Sequence, residues 1–319
     1  MLQDIDTAPL AAGQASQTDA GVAERRQRTI AILMMCATMV CFAGHDTSAK
    51  WLALSLPTVE IVWARYVAAA IFGLIVAGPL RRPTLLMPRR PVMQALRSLM
   101  LLGSTMGNFL ALRHLQLAET ATISFLQPLL VALAAGPLLG EWVGPARLAA
   151  IGFGLVGIFV ATAPGTNAFQ PVTLLAIGGV LCNTVYALLT RVLAAHDAAE
   201  TTLFWTPLAG VVLLTPVLPF VWVLPPTLFI LGIVLLMAVF ATAGHGLLIL
   251  AHRHAPAPIL APFAYTQLLW MIGSGLMVFG DRPPASTLIG AAIIVGCGLF
   301  LFSRERGGKT IAEGAVEAR

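Results

Sequence analysis

The stretch CFAGHDTSAKWLA, Cys41 to Ala53, sets His45, Asp46 and Lys50 within six residues, directly after the almost wholly apolar run RTIAILMMCATMV. An imidazole, a carboxylate and an ammonium at that spacing can recognise complementary charge on a small molecule, or they can neutralise one another. Asp46 and Lys50 stand at i,i+4 with the acid first, the better orientation for a pair within one helix. Arg65 follows in VEIVWARY, beyond Pro57. If the chain turns at Pro57, a rise of 1.5 Å per residue puts Asp46 and Arg65 about 16 and 12 Å below the turn, at similar depth on neighbouring helices. An ionised group deep in a membrane span costs about 2.5–3.5 kcal/mol on insertion scales, so it faces a cavity or a partner. Two readings follow: a site-lining patch in the outer half of a helix bundle, or a purely structural Asp46–Lys50–Arg65 network.

Other polar side chains interrupt the apolar runs: Asn108, Gln127, Asn183, Tyr186, His245, Tyr265 and Gln267. In hydrocarbon each needs a partner. They either join helices or line a cavity and orient a polar substrate. Trp63, Trp205 and Trp270 fit surface anchors or stacking surfaces for a flat ligand. HRH, His252 to His254, reads as a basic loop that fixes topology rather than a metal fragment. GFGLVG, Gly152 to Gly157, has the glycine spacing of a dinucleotide fingerprint but neither the preceding strand nor the following acid, so it reads as close helix packing. So do Gly103 and Gly107, and Gly136, Gly140 and Gly144, within one chain or between two. Cys36, Cys41, Cys182 and Cys297 have no zinc or redox spacing. No nucleophile and base are spaced for catalysis, and no cofactor or metal is implied.

These residues must be held by membrane helices. The 319-residue chain is 58% hydrophobic and 10% charged, too little charge to cover a water-soluble protein of this size, for which about 25% is usual. A bilayer core takes about 20 apolar residues as a helix. Ten segments qualify: 29–54, 58–78, 92–113, 119–139, 144–163, 171–194, 200–222, 227–250, 258–279 and 285–302. The runs are continuous and lack period-2 alternation, so the fold class is an all-α integral membrane protein. Residues 1–27 read as a flexible cytoplasmic tail without the apolar run of a signal peptide, and 303–319 as a second cytoplasmic tail. Arg25, Arg26, Arg28, Arg81, Arg82, Arg89, Arg90, Arg147, Arg191, Arg253, Arg304, Arg306 and Lys309 gather on one side. Arg113 and Arg282 lie on the other, with Lys50 near it. The excess puts both termini in the cytoplasm of a multi-pass protein of the cell inner membrane.

The chain repeats itself. ALRHLQLAETATISFLQPLLVALAAGPLLGE (111–141) aligns without a gap on AHRHAPAPILAPFAYTQLLWMIGSGLMVFGD (251–281), and Glu141 meets Asp281. An offset of 141 matches Cys41 with Cys182, Lys50 with Arg191, and His45 with Tyr186. Five spans per copy is odd, so the second copy enters the membrane from the opposite side. Inverted repeats of this kind, here 28–163 and 171–302, place a transporter's site near the midplane between the halves.

LQLAETATISFLQPLLVALAAGPLLGE, followed by GPARLAAIGFGLVGIFVA, resembles the fourth and fifth spans of EamA-type carriers of the drug/metabolite transporter superfamily: small residues, a mid-span Pro128, then Gly-Glu. The second half departs from this pattern, with Gln267-Leu268 for Gln127-Pro128 and Asp281 for Glu141. The resemblance covers about residues 28 to 303. It implies a ten-helix carrier with a central cavity and alternating access. DTSAKWL and VEIVWARY are similar to a bacterial branch that carries S-adenosylmethionine, riboflavin and opine-type metallophores. On this reading the chain moves a small polar or zwitterionic, amino-acid-related metabolite and is not an enzyme. Asp46, Lys50 and Arg65 recognise charge; His45, Tyr186, Tyr265 and the amides supply hydrogen bonds. The alternatives are riboflavin or another heteroaromatic vitamin, and, more remotely, a multi-span membrane enzyme. The partners are the substrate and membrane lipid, with no nucleic acid. A proton could couple through His45 or Asp46, facilitated diffusion fits equally, and a homodimer is open.

The orientation is checked by single-cysteine labelling. In a chain stripped of its native cysteines, Leu85→Cys is expected to resist an impermeant thiol reagent in intact cells and to react once the membrane is opened. Ready labelling in intact cells would reverse the orientation.

Overall fold

The computed structural model describes residues 8–77, 87–139, 144–163, 170–225, 227–255 and 257–300. Arg81, Arg82, Gly140, Glu141, Arg304, Arg306 and Lys309 lie outside the described residues. The first half forms α1 (Ala8–Leu52), α2 (Thr58–Ala77), α3 (Pro91–Leu112), α4 (Leu117–Ser124), α5 (Gln127–Leu139) and α6 (Pro145–Thr162), and α7 (Thr173–Leu193) opens the second. The second half adds α8 (Ala199–Trp205), α9 (Leu208–Leu214), α10 (Leu218–Val221), α11 (Leu228–His254), α12 (Ala257–Ala264), α13 (Thr266–Ser274) and α14 (Ala285–Phe300). Among the described residues, seven helical stretches are long and apolar enough to cross a membrane, and three shorter apolar helices accompany them. The outward side chains are those of a surface bathed in lipid: Phe153 and Phe229 are each 64% exposed and Met277 87%. A surface of this kind in water would be a large apolar patch driving association.

The elements depart from the sequence expectation in two ways. Residues 8–27, read as a flexible tail, continue α1 as helix. Forty-five residues span roughly 68 Å at 1.5 Å each, over twice the hydrocarbon thickness, so the N-terminal part of α1 extends beyond the core. Three expected spans are also broken. The 119–139 segment divides at Phe125 and Leu126 into α4 and α5. The 258–279 segment divides at Tyr265, after Pro262 within α12, and ends in a π-helical turn, Gly275–Phe279. The 200–222 segment divides into α8, α9 and α10, with Pro207 at the first break. Proline has no N–H for the helix ladder and its ring crowds the carbonyl four residues back.

Two long helix pairs dominate the packing: α1 along α11, and α3 along α7. Each pair joins one helix from each half. Both contacts depend on glycine. A Cβ at Gly107 would lie 2.6 Å from the Leu175 carbonyl oxygen and 3.0 Å from the Gly179 Cα, so the α3 and α7 backbones touch. A Cβ at Gly103 would meet Cys182 Sγ at 3.0 Å, and one at Gly244 would meet Cys41 Cβ at 3.2 Å. Those two contacts are 141 residues apart at both partners. Phe125 and Tyr265, 140 residues apart and each at a helix break, meet edge to face with centroids 5.1 Å apart. In GFGLVG, Gly154 faces Leu129 and Gly157 faces Gly290 and Ile294 on α14, so this run packs helices, while Gly152 has nothing within 4 Å of an added Cβ.

Gly107→Val is therefore expected to destabilise the bundle by about 1–3 kcal/mol, the usual cost of overpacking. Gly152→Ala serves as the neutral control. Thermal unfolding in one detergent compares them; equal loss in both would remove the backbone contact as a determinant.

Candidate functional site

The opening stretch sits on α1 and is buried against α11, α13 and α3. His45 is 6% exposed. Its Nδ1 lies 3.0 Å from Asp46 Oδ1, a distance at which the carboxylate accepts the ring N–H. Nε2 is buried and has no hydrogen-bond partner among the described residues. The His45 ring leans on Phe109 of α3, centroids 5.6 Å apart. Phe109 also carries the Arg65 guanidinium, 5.7 Å from the ring centroid. Arg65 donates from Nη1 to Thr105 Oγ1 at 2.7 Å, and Tyr66 shares that hydroxyl at 3.1 Å. Thus α1, α2 and α3 bring His45 and Arg65 onto one phenylalanine, with Asp46 bonded to His45.

The Asp46–Lys50–Arg65 network is not formed. Lys50 reaches instead to Asp281, Nζ to Oδ2 2.6 Å, and lies 4.7 Å from the Phe279 ring centroid. Local backbone geometry delivers that carboxylate. Gly280 adopts φ +70°, in the left-handed region where a Cβ is penalised, and Asp281 N–H closes back onto the Gly275 carbonyl at 3.0 Å. Asp281 had a sequence signal, its alignment with Glu141, but its pairing with Lys50 spans 231 residues. The Thr47 hydroxyl adds a second tie, donating to Ser274 at 2.9 Å.

His245 stands on α11. Its Nδ1 donates to the Ala241 carbonyl at 2.9 Å, and Phe42 meets its ring edge to face at 5.2 Å. Arg65 and His245 line the same cavity, of ≈110 Å³, between α2, α3, the α8–α9 break and α11. Phe72, Leu101, Leu203 and Pro207 give it apolar walls, and Thr206 and Thr242 give it hydroxyls. It therefore joins one charged residue from the first half to an imidazole from the second.

The remaining expected residues lie apart from this cluster. Asn183 donates to Gln127 Oε1 at 3.0 Å, tying α7 to the start of α5. Asn108 lies on the α3 face packed against Gly179. Tyr265 packs on Phe125 and under Gly298, and Gln267 is half-buried on α13. Trp63 donates to Thr215 and meets Trp222 edge to face, while Trp270 is 47% exposed on the outer surface. His252 and His254 each donate Nδ1 to a carbonyl four residues back on α11.

Tyr186 leads to a residue that sequence reading missed. Its ring lies 5.1 Å from the guanidinium of Arg97, which is 1% exposed. Arg97 donates to Gln94 Oε1, Thr190 Oγ1, the Thr202 carbonyl and Thr206 Oγ1. Gln94 in turn donates to Asp197 Oδ2 at 2.9 Å. An arginine near the end of a span can snorkel to the surface, and nothing local distinguishes that case from one capped by two hydroxyls and a carbonyl of α7 and the α8 region.

Residues 29–163 match the model of the EamA-like transporter family. Over this stretch, somewhat under half of its length, the chain is similar to a family of transporters. The S-adenosylmethionine uptake transporter of Rickettsia bellii is 24% identical over 278 residues, 87% of this chain and 95% of that one. The riboflavin transporter of Brucella anthropi is 24% identical, covering 86% of this chain and 98% of its own. The pseudopaline exporter of Pseudomonas aeruginosa is 24% identical, covering 86% and 97%. One crystal structure at 22% identity shares the fold, with a TM-score of 0.56 over 84% of this chain and 98% of the other.

The Lys50–Asp281 pair generates a test. Asp281→Asn leaves the ammonium without its counter-charge, and breaking a buried pair on one side typically costs about 3–5 kcal/mol. These side chains are 12% and 21% exposed, so the lower end or less is expected. Thermal unfolding should show Asp281→Asn destabilised and the double variant with Lys50→Met restored. No recovery in the double variant would mean that the two charges are not coupled.

Proposed function

We propose that the chain is a secondary carrier that moves a small polar or zwitterionic organic metabolite across the cytoplasmic membrane by alternating access. The observation that carries this reading is the shared cavity: Arg65 from one half and His245 from the other face a single chamber inside an apolar bundle. A site walled by both halves changes shape when they rock against each other, as alternating access requires. The family and the curated relatives, carriers of S-adenosylmethionine, riboflavin and pseudopaline, support the class while differing in cargo and direction.

The proposed architecture is ten crossings in two inverted five-helix repeats, 28–163 and 171–302, with both termini cytoplasmic. Exchange of the halves carries the α1–α11 pair onto α7–α3, and the Gly244–Cys41 contact onto Gly103–Cys182. Phe125 touching Tyr265 is the contact expected where equivalent residues straddle a two-fold axis. In this scheme Arg65 and Asp46 read charge, His45 and His245 offer ring nitrogens, and Tyr186, Tyr265 and the amides Asn108, Gln127, Asn183 and Gln267 line the path. Lys50, engaged by Asp281, serves the outer closure. A flat heteroaromatic vitamin is the second reading, favoured by Tyr66, Phe72 and Phe109 around Arg65.

The test is uptake and efflux by purified protein in liposomes, screened across amino-acid derivatives and vitamins. Asp46→Asn and Arg65→Met are each expected to keep the folded yield and cut transport by about tenfold or more, the scale of one lost charge-assisted hydrogen bond. Undiminished transport in both, or no transported compound in either class, would overturn the reading.

A further inference from the structure

The Arg65 guanidinium has an unusual position. It lies within a membrane span, lines a cavity, and has no carboxylate at ion-pair distance among the described residues. The carboxylates on adjoining elements are engaged elsewhere. Asp46 accepts from His45, Asp281 from Lys50, Glu60 from the Val223 N–H, and Asp197 from Gln94 and the Arg89 N–H. What Arg65 does have is one threonine hydroxyl and the faces of Tyr66 and Phe109, at 5.8 and 5.7 Å. Ring faces stabilise a cation without neutralising it. A guanidinium presents five N–H donors in a fixed fork and does not lose its proton in proteins; the bond to Thr105 uses Nη1. The neighbour across the cavity does not supply a negative charge either. His245 is neutral or cationic, and with Nδ1 committed to Ala241 its Nε2 is the atom left for a ligand.

We infer that this cavity is an anion site: it takes the carboxylate of the transported molecule, held by the Arg65 fork and His245 Nε2, with the compact apolar part of that molecule against Phe72, Leu101 and Leu203. The assignment of the anion as cargo rests on the carrier reading; the sign of the cavity does not. Arginine matches the planar geometry of a carboxylate through two parallel N–H···O bonds, which a lysine ammonium cannot reproduce. The compound moved is therefore an organic acid or an amino-acid derivative with a free carboxylate, and amides or esters of the same skeleton are excluded.

The cavity's sign can be measured without knowing the cargo. In a chain with Cys36, Cys41, Cys182 and Cys297 replaced, Thr242→Cys and Ala68→Cys each place one thiol in the wall. Each is treated with two thiosulfonate reagents of similar size, the anionic sulfonatoethyl and the cationic trimethylammonioethyl compound. Relative to an exposed reference cysteine, the anionic reagent is expected to react about tenfold faster than the cationic one, as a guanidinium within a few ångströms requires. Arg65→Met should abolish that bias and Arg65→Lys should retain part of it. A bias toward the cationic reagent, no bias, a bias that survives Arg65→Met, or no labelling at either position would overturn the inference. Labelling rates do not depend on transport, so a cavity of the expected sign in a protein that moves nothing would fault the carrier reading alone.

Discussion

Hydrocarbon offers no hydrogen bonds, so every polar group that a span carries into the bilayer must be satisfied from within the chain. That constraint shapes the interface between the two halves. Lys50 reaches across to Asp281, Thr47 to Ser274, and Asn183 to Gln127. Arg97 alone gathers acceptors from α3, α7 and the α8 region. Each tie joins segments far apart in sequence, and together they set where the halves meet. His45 Nε2, Gln116 Oε1 and Thr287 Oγ1 are buried without a partner among the described residues, and Arg65 lacks a counter-charge among them; Arg65, beside a cavity, is what turns a helix bundle into a candidate binding protein.

Glycine sets how closely the halves meet. Gly107 against Gly179 lets α3 and α7 touch backbone to backbone, and Gly44 and Gly244 seat phenylalanines across the α1–α11 contact. Small residues take this role in membranes because lipid tails are as apolar as leucine, leaving close packing to hold helices together. The polar ties fall on either side of this packed centre. Lys50–Asp281 lies near the turn after α1, whereas the Arg97–Gln94–Asp197 chain lies by the start of α3. In the proposed carrier these are two closures, on opposite sides of the Arg65–His245 cavity.

Hydropathy made much of the helical layout legible. The segment expected at 92–113 is Pro91–Leu112, and that at 171–194 is Thr173–Leu193. The breaks were harder to read, because Pro128 sits just beyond the first and its aligned residue, Leu268, gives no signal at the second. Side-chain proximity was legible only in part. His45 and Arg65 meet at Phe109, whereas Asp46, expected at the depth of Arg65, bonds to His45. The i,i+4 rule pointed Lys50 to Asp46, yet Lys50 follows a partner 231 residues away that only the tertiary fold supplies. Arg97 escaped notice for the same reason: apart from Gln94, its acceptors come from α7 and the α8 region. The helix running from Ala8 through the expected tail shows the converse limit, since helix propensity persists where hydropathy gives no signal.

The central claim is that the two halves rock about a cavity they share, and distances across the bundle test it most directly. Spin labels at positions 55 and 284 report on the Lys50–Asp281 side, and labels at 92 and 198 on the Arg97–Asp197 side. Pulsed dipolar spectroscopy in lipid nanodiscs is expected to show two populations in each pair, with shifts of opposite sense when the transported compound is added: one side closes as the other opens. A single unchanging distance in both pairs, under conditions where the same protein transports, would contradict alternating access.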